Sequence, residues 1–378
     1  MNRIALPPLT LSTDLWEELK GSDRPIVVYG MGNGGDKLVS RLAEIGREVA
    51  DFFASDGFVR GQQFHGKRVL SFSEVKEKYG DFTVLVAFGS TRHEVLETVY
   101  GMAKEHSLRI PDMPLAGEDY FTAAFYRRNY DKIRAVYDLL ADDASKDLFA
   151  AMVRYKLTGE ARFLETGVLT GDEQALLGYS RMACAVDVGA YRGDTLREML
   201  LHAPRLKTVF AVEPDEKNYR KLVAYAETVE GREIIPVHAA AYDEETTLAF
   251  ASSGNRNATL GKIGGNDAAT ASFEYQLKTV KSLKIDHLVS GRRINYIKYD
   301  TEGAELAALE GSRATSVGER PALRISVYHR SEDLFALPLW LYSLVGEDYQ
   351  YYLRRKPCIP AWECELIAVP KHTLKGEK

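Results

Sequence analysis

Cysteine is scarce in this chain, with only three among 378 residues. Cys184, Cys358 and Cys364 form no close metal-ligand pair, and an odd number cannot close a disulfide framework. That excludes the disulfide-stapled class and fits a reducing compartment. Long apolar runs are also missing: no window approaches the roughly 20 residues of a membrane span. The opening Met1-Asn-Arg-Ile-Ala-Leu-Pro-Pro lacks the apolar stretch of a secretion signal, and Pro7 and Pro8 interrupt it. The expectation is a cytoplasmic protein with no membrane partner. A basic surplus is absent too. The 49 Lys and Arg against 54 Asp and Glu leave a net charge of −5, which argues against a nucleic-acid footprint. Neither an internal repeat nor a low-complexity segment occurs.

What is present is enough to build sizeable cores. The chain is 45% hydrophobic and 27% charged, and its length exceeds one ordinary α/β core. Short apolar runs alternate with helical patterns in two stretches, the mark of parallel sheets with crossover helices. In the first, strands read at 25–30, 49–55 and 83–88, with helices at 36–47 and 91–106. From 116 to 179 the pattern turns purely helical, with Tyr130, Ile133, Tyr137 and Leu140 and then Leu148, Met152 and Tyr155 at helical spacing. Core packing is the reading preferred for that stripe over a substrate wall or an oligomer contact. In the second stretch, strands read at 185–189, 208–213, 233–241, 295–300 and 322–329. Two closely spaced ones, at 351–355 and 364–369, suit an antiparallel edge. The expected division is a small Rossmann-like unit over 1–115, a helical bridge over 116–179 and a larger α/β domain over 180–378.

Three segments of the larger domain carry chemistry. Asp187-Val-Gly-Ala-Tyr-Arg-Gly-Asp-Thr195 leads from a strand into a helix. Glycines let the backbone turn there and approach a ligand, and the helix N-terminus presents free amides. Asp187 would repel a pyrophosphate and suits a cationic or hydroxyl-rich ligand better. Glu213-Pro-Asp215 closes the next strand, some 20 residues past the turn, where a carboxylate can accept bonds from ribose hydroxyls. In Lys298-Tyr-Asp-Thr-Glu-Gly-Ala-Glu305, Asp300 falls at a strand end, while Glu302 and Glu305 read as dipole-stabilised carboxylates entering the next helix. For a base, His329 at the end of a strand is the candidate because imidazole titrates near neutral pH; a capping histidine is the plain alternative. Asp300 could serve instead, or bind a divalent cation with Glu302, although no ligand cluster in the sequence calls for a metal.

These segments, together with Ile325-Ser-Val-Tyr-His-Arg330, resemble the FkbM family of methyltransferases over residues 185–370. The resemblance implies a class I methyltransferase fold with a seven-stranded sheet, S-adenosylmethionine as cofactor, and O-methylation, often of sugars or glycosylated products. Carried onto this chain, it implies a cofactor turn shaped by Asp187, Gly189 and Gly193 with Ala190, Tyr191, Asp194 and Thr195. Glu213 and Pro214 would hold the ribose. Ala240, Ala241 and Tyr242 would border the adenine, with Asp243 a candidate partner for its amino group. Asp300 would face the sulfonium and the acceptor. Segment 244–288 fits the family least and reads as a loop over the site.

The first unit has its own fingerprint, Gly30-Met-Gly-Asn-Gly-Gly35, with Asp56 near the end of the next strand. Gly30, Gly32, Gly35 and Asp56 could hold a nucleotide-sugar or a nicotinamide, or the turn could be an empty packing device. Three readings of the whole follow: an O-methyltransferase, a non-catalytic cofactor or nucleotide-sugar binding module, or a nicotinamide-dependent oxidoreductase. The last lacks a catalytic set beside its turn.

Overall fold

The computed structural model describes residues 4–166, 171–252, 259–261 and 276–371. Two parallel sheets organise it. The first has five strands in the order Leu70–Ser71, Val49–Ala54, Ile26–Tyr29, Thr83–Val86, Ser107–Arg109, all parallel. The order in which strands are added reverses at Ile26–Tyr29, with the next two strands on one side and the last two on the other. The ends of Ile26–Tyr29 and Thr83–Val86 therefore flank the crevice where open α/β sheets bind ligands.

The second sheet runs Glu233–Val237, Thr208–Val212, Cys184–Val188, Tyr296–Tyr299, Ala322–Ser326, Cys364–Pro370, Tyr349–Arg355. Its first five strands are parallel and the last two antiparallel. Thr208–Val212, Tyr296–Tyr299 and Ala322–Ser326 are buried throughout, because helices cover both faces. A third, four-stranded sheet joins Ala240–Ala241, Gln276–Leu283, Thr247–Ser252 and Thr259–Gly261. Where the sequence reads as a loop over 244–288, strands are thus found; residues 253–258 and 262–275 of that stretch lie outside the described ones.

Between the sheets the chain is helical, as its periodicity indicates. Ala123–Arg128, Tyr130–Leu139 and Asp143–Thr158 lead towards Tyr179–Arg181. Ile133, Leu140, Leu148, Met152 and Tyr155 are buried, in one apolar cluster that also takes in Val27 and Val84 of the first sheet and Ile297 and Ile325 of the second. Asp142 caps Asp143–Thr158 through Ser145 N (2.6 Å) and also meets Arg354 Nη2 (3.0 Å), so that cap ties the bridge to the second sheet. On the other side, Lys156 and Asp112 form a buried ion pair at 2.8 Å. No helix among the described residues is long and apolar enough to cross a membrane.

Candidate active site

The strand ends Val188 and Tyr299 are paired neighbours, which sets Gly189 beside Asp300. Gly189 has φ +79°, and a Cβ there would lie 1.8 Å from the Asp300 carbonyl oxygen. Only glycine can stand at this point. Gly193 (φ +87°) is needed for a different reason: a Cβ would meet the Tyr225 ring at 2.8 Å. The turn between them opens the helix Asp194–His202.

Above this turn lies a cavity of about 680 Å³. Gly189, Ala190, Tyr191, Asp194 and Thr195 line one side, with Glu213, Pro214, Ala240 and Ala241 next to them and Asp300 at the far end. Asp187, Gly193, Tyr242 and Asp243 lie outside the lining. The glycine turn, a buried acid and a third-strand border thus come together as the sequence proposes, while Asp243 does not reach the space assigned to it.

Glu213 is 5% exposed and accepts from two backbone amides, Tyr191 N at 2.8 Å and Asp215 N at 2.9 Å. Burial pushes its carboxyl up to about 8 in spite of those amides. Asp215 has a separate task as the cap of Glu216–Ala226, accepting from Asn218 N (2.9 Å). Asp187 is fully buried, and neither of its oxygens is hydrogen-bonded. Its carboxyl is raised to about 6 by burial, with Lys298 opposing. Lys298 Nζ sits 3.8 Å from Asp187 and 3.2 Å from Asp300, so it braces two adjacent strand ends. The sequence alone gives this lysine no role.

Asp300 accepts from Ser326 Oγ (3.0 Å) and Tyr328 OH (3.4 Å). Burial opposes its ionisation, but Lys298, His329 and Ser326 more than offset that, and the carboxyl stands at about 2. Glu302 does not enter the helix; the helix is Glu305–Glu310. Glu302 instead occupies a left-handed turn (φ +55°) and lines the cavity. Glu305 folds back to accept from Thr301 N (2.7 Å) and Gly303 N (3.1 Å).

His329 is fully buried and is not part of the cavity lining. Burial lowers its pKa, but Glu305 and Glu302 raise it further, to well above the ordinary histidine range. Neutral-pH titration, the property that singles it out in the sequence, is therefore lost in this environment. Among the described residues, Asp300, Glu305 and His329 each place one ligand atom within 4.8 Å of the others, a set able to hold a cation.

The other wall comes from residues the sequence does not mark. Gly89, Ser90, Thr91 and Arg92, just past a strand end of the first sheet, line the cavity together with Tyr328, Lys356 and Trp362. Ser90 and Ile359 exchange backbone hydrogen bonds, N to O at 2.8 and 3.0 Å. Gly89 lies so close under Trp362 that a Cβ would reach 2.1 Å from its ring. Leu115 N and Ala116 N both donate to His329 O at 2.9 Å.

In the Gly30–Gly35 turn, two of the glycines are closely packed. A Cβ on Gly34 would strike the Ala87 carbonyl oxygen at 1.9 Å, and one on Gly35 would strike the Phe64 ring at 2.8 Å. His65 pairs with Asp36 in the first turn of the following helix at 2.7 Å. Gly32 has open space around it, and Asp56 is exposed in the turn after its strand.

Residues 187–351 match the family model of the methyltransferase FkbM domain. This segment is an FkbM methyltransferase domain. The chain accordingly carries a methyltransferase domain over these residues. Its fold is similar to that of the methyltransferase FkbM of Methylobacillus flagellatus KT, with a TM-score of 0.66 at 22% identity. That likeness covers 93% of this chain and 92% of the other. More distant are an rRNA methylase of Streptococcus thermophilus (TM-score 0.32, 14% identity, 52% of this chain and 93% of that one) and Aeropyrum pernix fibrillarin (0.31, 13%, 50% and 68%), the latter with natively bound S-adenosylmethionine. No curated protein matches this chain.

Proposed function

We propose that this FkbM protein transfers the methyl group of S-adenosylmethionine to a hydroxyl of a sugar, a glycan or a glycosylated small molecule. The observation that carries the reading is the single cavity with two unlike ends. One end has a glycine turn that admits no Cβ, a buried carboxylate and small side chains at Ala240 and Ala241. It fits a nucleoside with a short amino-acid tail. The other end mixes the aromatic rings of Tyr328 and Trp362 with Glu302, Glu363, Ser90 and Arg92. Rings offer a face to a sugar, and carboxylates and hydroxyls bond its hydroxyl groups.

In this reading Gly189, Ala190, Tyr191, Asp194 and Thr195 cradle the cofactor. Glu213 takes its ribose hydroxyls, and Pro214, Ala240 and Ala241 border its adenine. Asp187 acts through Lys298 to hold the strand ends in place. The cofactor supplies an activated methyl, so the protein's own work is alignment and proton removal. Of the two groups singled out for that work, Asp300 reaches the cavity. Its low pKa makes it a hydrogen-bond acceptor that orients the hydroxyl rather than a strong base. The division into 1–115, 116–179 and 180–378 belongs to the same proposal, with the first unit serving as a wall of the acceptor end.

The test is calorimetry with S-adenosylhomocysteine on the whole chain, followed by transfer of labelled methyl from S-adenosylmethionine to a panel of UDP-sugars and simple glycosides. Binding plus label on a hydroxyl supports the proposal. Binding with label only on amine- or thiol-bearing controls would overturn the acceptor class.

A further inference from the structure

Where the acceptor end of the cavity meets the second sheet, carboxylates crowd around one imidazole. His329 Nε2 stands 3.4 Å from Glu302 Oε2 and 3.6 Å from Asp300 Oδ1, and Nδ1 stands 2.9 Å from Glu305 Oε1. Asp333, 4% exposed, is close behind and accepts from Arg330 N at 2.8 Å. Three carboxylates thus face the ring, while burial raises the Asp333 carboxyl behind them to about 8 and keeps it neutral. Among the described residues, His329 and, on the far oxygen of Asp300, Lys298 are the cations paired with them, and buried anions are costly unless cations compensate them.

A second observation points the same way. His329 has no exposure, and neither of its ring nitrogens makes a hydrogen bond. An imidazolium present only to neutralise the acids would turn its two N–H groups onto their oxygens, since buried donors are rarely left unspent. The two Nε2 spacings, 3.4 and 3.6 Å, suit ligation better. Around an ion with bonds of ~2.0–2.2 Å, adjacent ligand atoms stand roughly 3.0–3.5 Å apart.

We propose that His329 Nε2, Asp300 and Glu302 form a divalent cation site at the acceptor end of the cavity, with Glu305 beside the other ring nitrogen. Two carboxylates and one imidazole are a mixed O/N donor set, which favours Mn²⁺ over the oxygen-only preference of Ca²⁺. Asp300 and Glu302 line the cavity, so the open side of the ion faces the acceptor. This deepens the proposed hydroxyl methylation and rests on it for its purpose. A hydroxyl coordinated there ionises more readily. Its proton passes to the Glu302 carboxylate, its oxygen bonds the methyl carbon, the carbon–sulfur bond breaks, and neutral S-adenosylhomocysteine leaves.

The experiment uses the whole chain, stripped with EDTA and titrated with MnCl₂, with bound ion read by electron paramagnetic resonance and calorimetry. One Mn²⁺ per chain is expected, with affinity falling at least ~10-fold in Asp300→Asn and in His329→Gln. Because His329 is buried, Glu302→Gln provides a variant on the cavity wall, and it should weaken Mn²⁺ several-fold. Absence of Mn²⁺ binding by the folded wild type, or binding equally tight in Asp300→Asn and Glu302→Gln, overturns the site. S-adenosylhomocysteine calorimetry on the metal-free protein keeps the two proposals apart. Its failure removes the methyl-transfer reading and leaves the Mn²⁺ result standing by itself.

Discussion

Lys298 shows how much one side chain carries here. It is 6% exposed and lies within 4 Å of two carboxylates on neighbouring strands. Removing its charge leaves Asp187 buried with no partner, so Lys298→Met should cost about 3–5 kcal/mol, the usual penalty for breaking a buried pair. Urea unfolding of the two proteins measures this, and a loss below about 1 kcal/mol would mean that Asp187 is neutral in the native state. Glu213 gives a pH signature of the opposite kind. Its folded pKa, about 8, lies above the ordinary carboxylate value of 4.5. Below the ordinary value both states are protonated. Between the two values the unfolded chain ionises while the folded one holds its proton, so stability falls as pH rises through that window. Glu213→Gln should therefore show a shallower decline in stability from pH 5 to pH 8 than the wild type. Parallel declines in denaturant titrations would show that Glu213 is ionised in the fold.

Turns and strand ends decide which motifs are functional. Two glycine turns follow two first strands, and their glycines answer different demands. Gly189 faces a carbonyl across a strand pair, so Gly189→Ala combines a clash with a forbidden φ. It should abolish S-adenosylhomocysteine binding. Gly32 has φ +84° and ψ −157° with nothing near, a backbone region essentially reserved for glycine, so Gly32→Ala carries a backbone penalty alone, about 1–3 kcal/mol. Gly32→Ala should lower the melting temperature and leave S-adenosylhomocysteine affinity unchanged; a changed affinity would tie the first turn to the site. Much of this was legible beforehand, because strands such as Cys184–Val188 are apolar runs closed by glycine and their ends collect the acids. Less legible was Glu302, whose spacing from Glu305 suits a helical turn until Gly303 bends the chain. His329 misled for a related reason: residue type suggests a titrating base, but three acids brought by other segments change its character. Ser90, Arg92 and Trp362 carry no motif, and only the meeting of two sheets makes them neighbours.

At the scale of the molecule, the smaller sheet is part of the site's architecture. Its strand ends supply Gly89–Arg92, and its continuation at Leu115 and Ala116 holds the His329 carbonyl. Gly89→Val should push Trp362 aside and reduce methyl transfer at least ~10-fold while S-adenosylhomocysteine affinity stays within about twofold, since loss of positioning alone has such effects. Turnover and calorimetry on the same preparation separate these quantities. Equal turnover would remove the first sheet from the acceptor end.

The paired amides of Ser90 and Ile359 also form a reporter of opening. Each amide is bonded only while this contact holds, so their deuterium uptake measures how often the contact opens. Acceptor bound in the cavity should slow both amides together, while the sheet interiors keep their own rates. Exchange would then register a substrate before any chemistry is known.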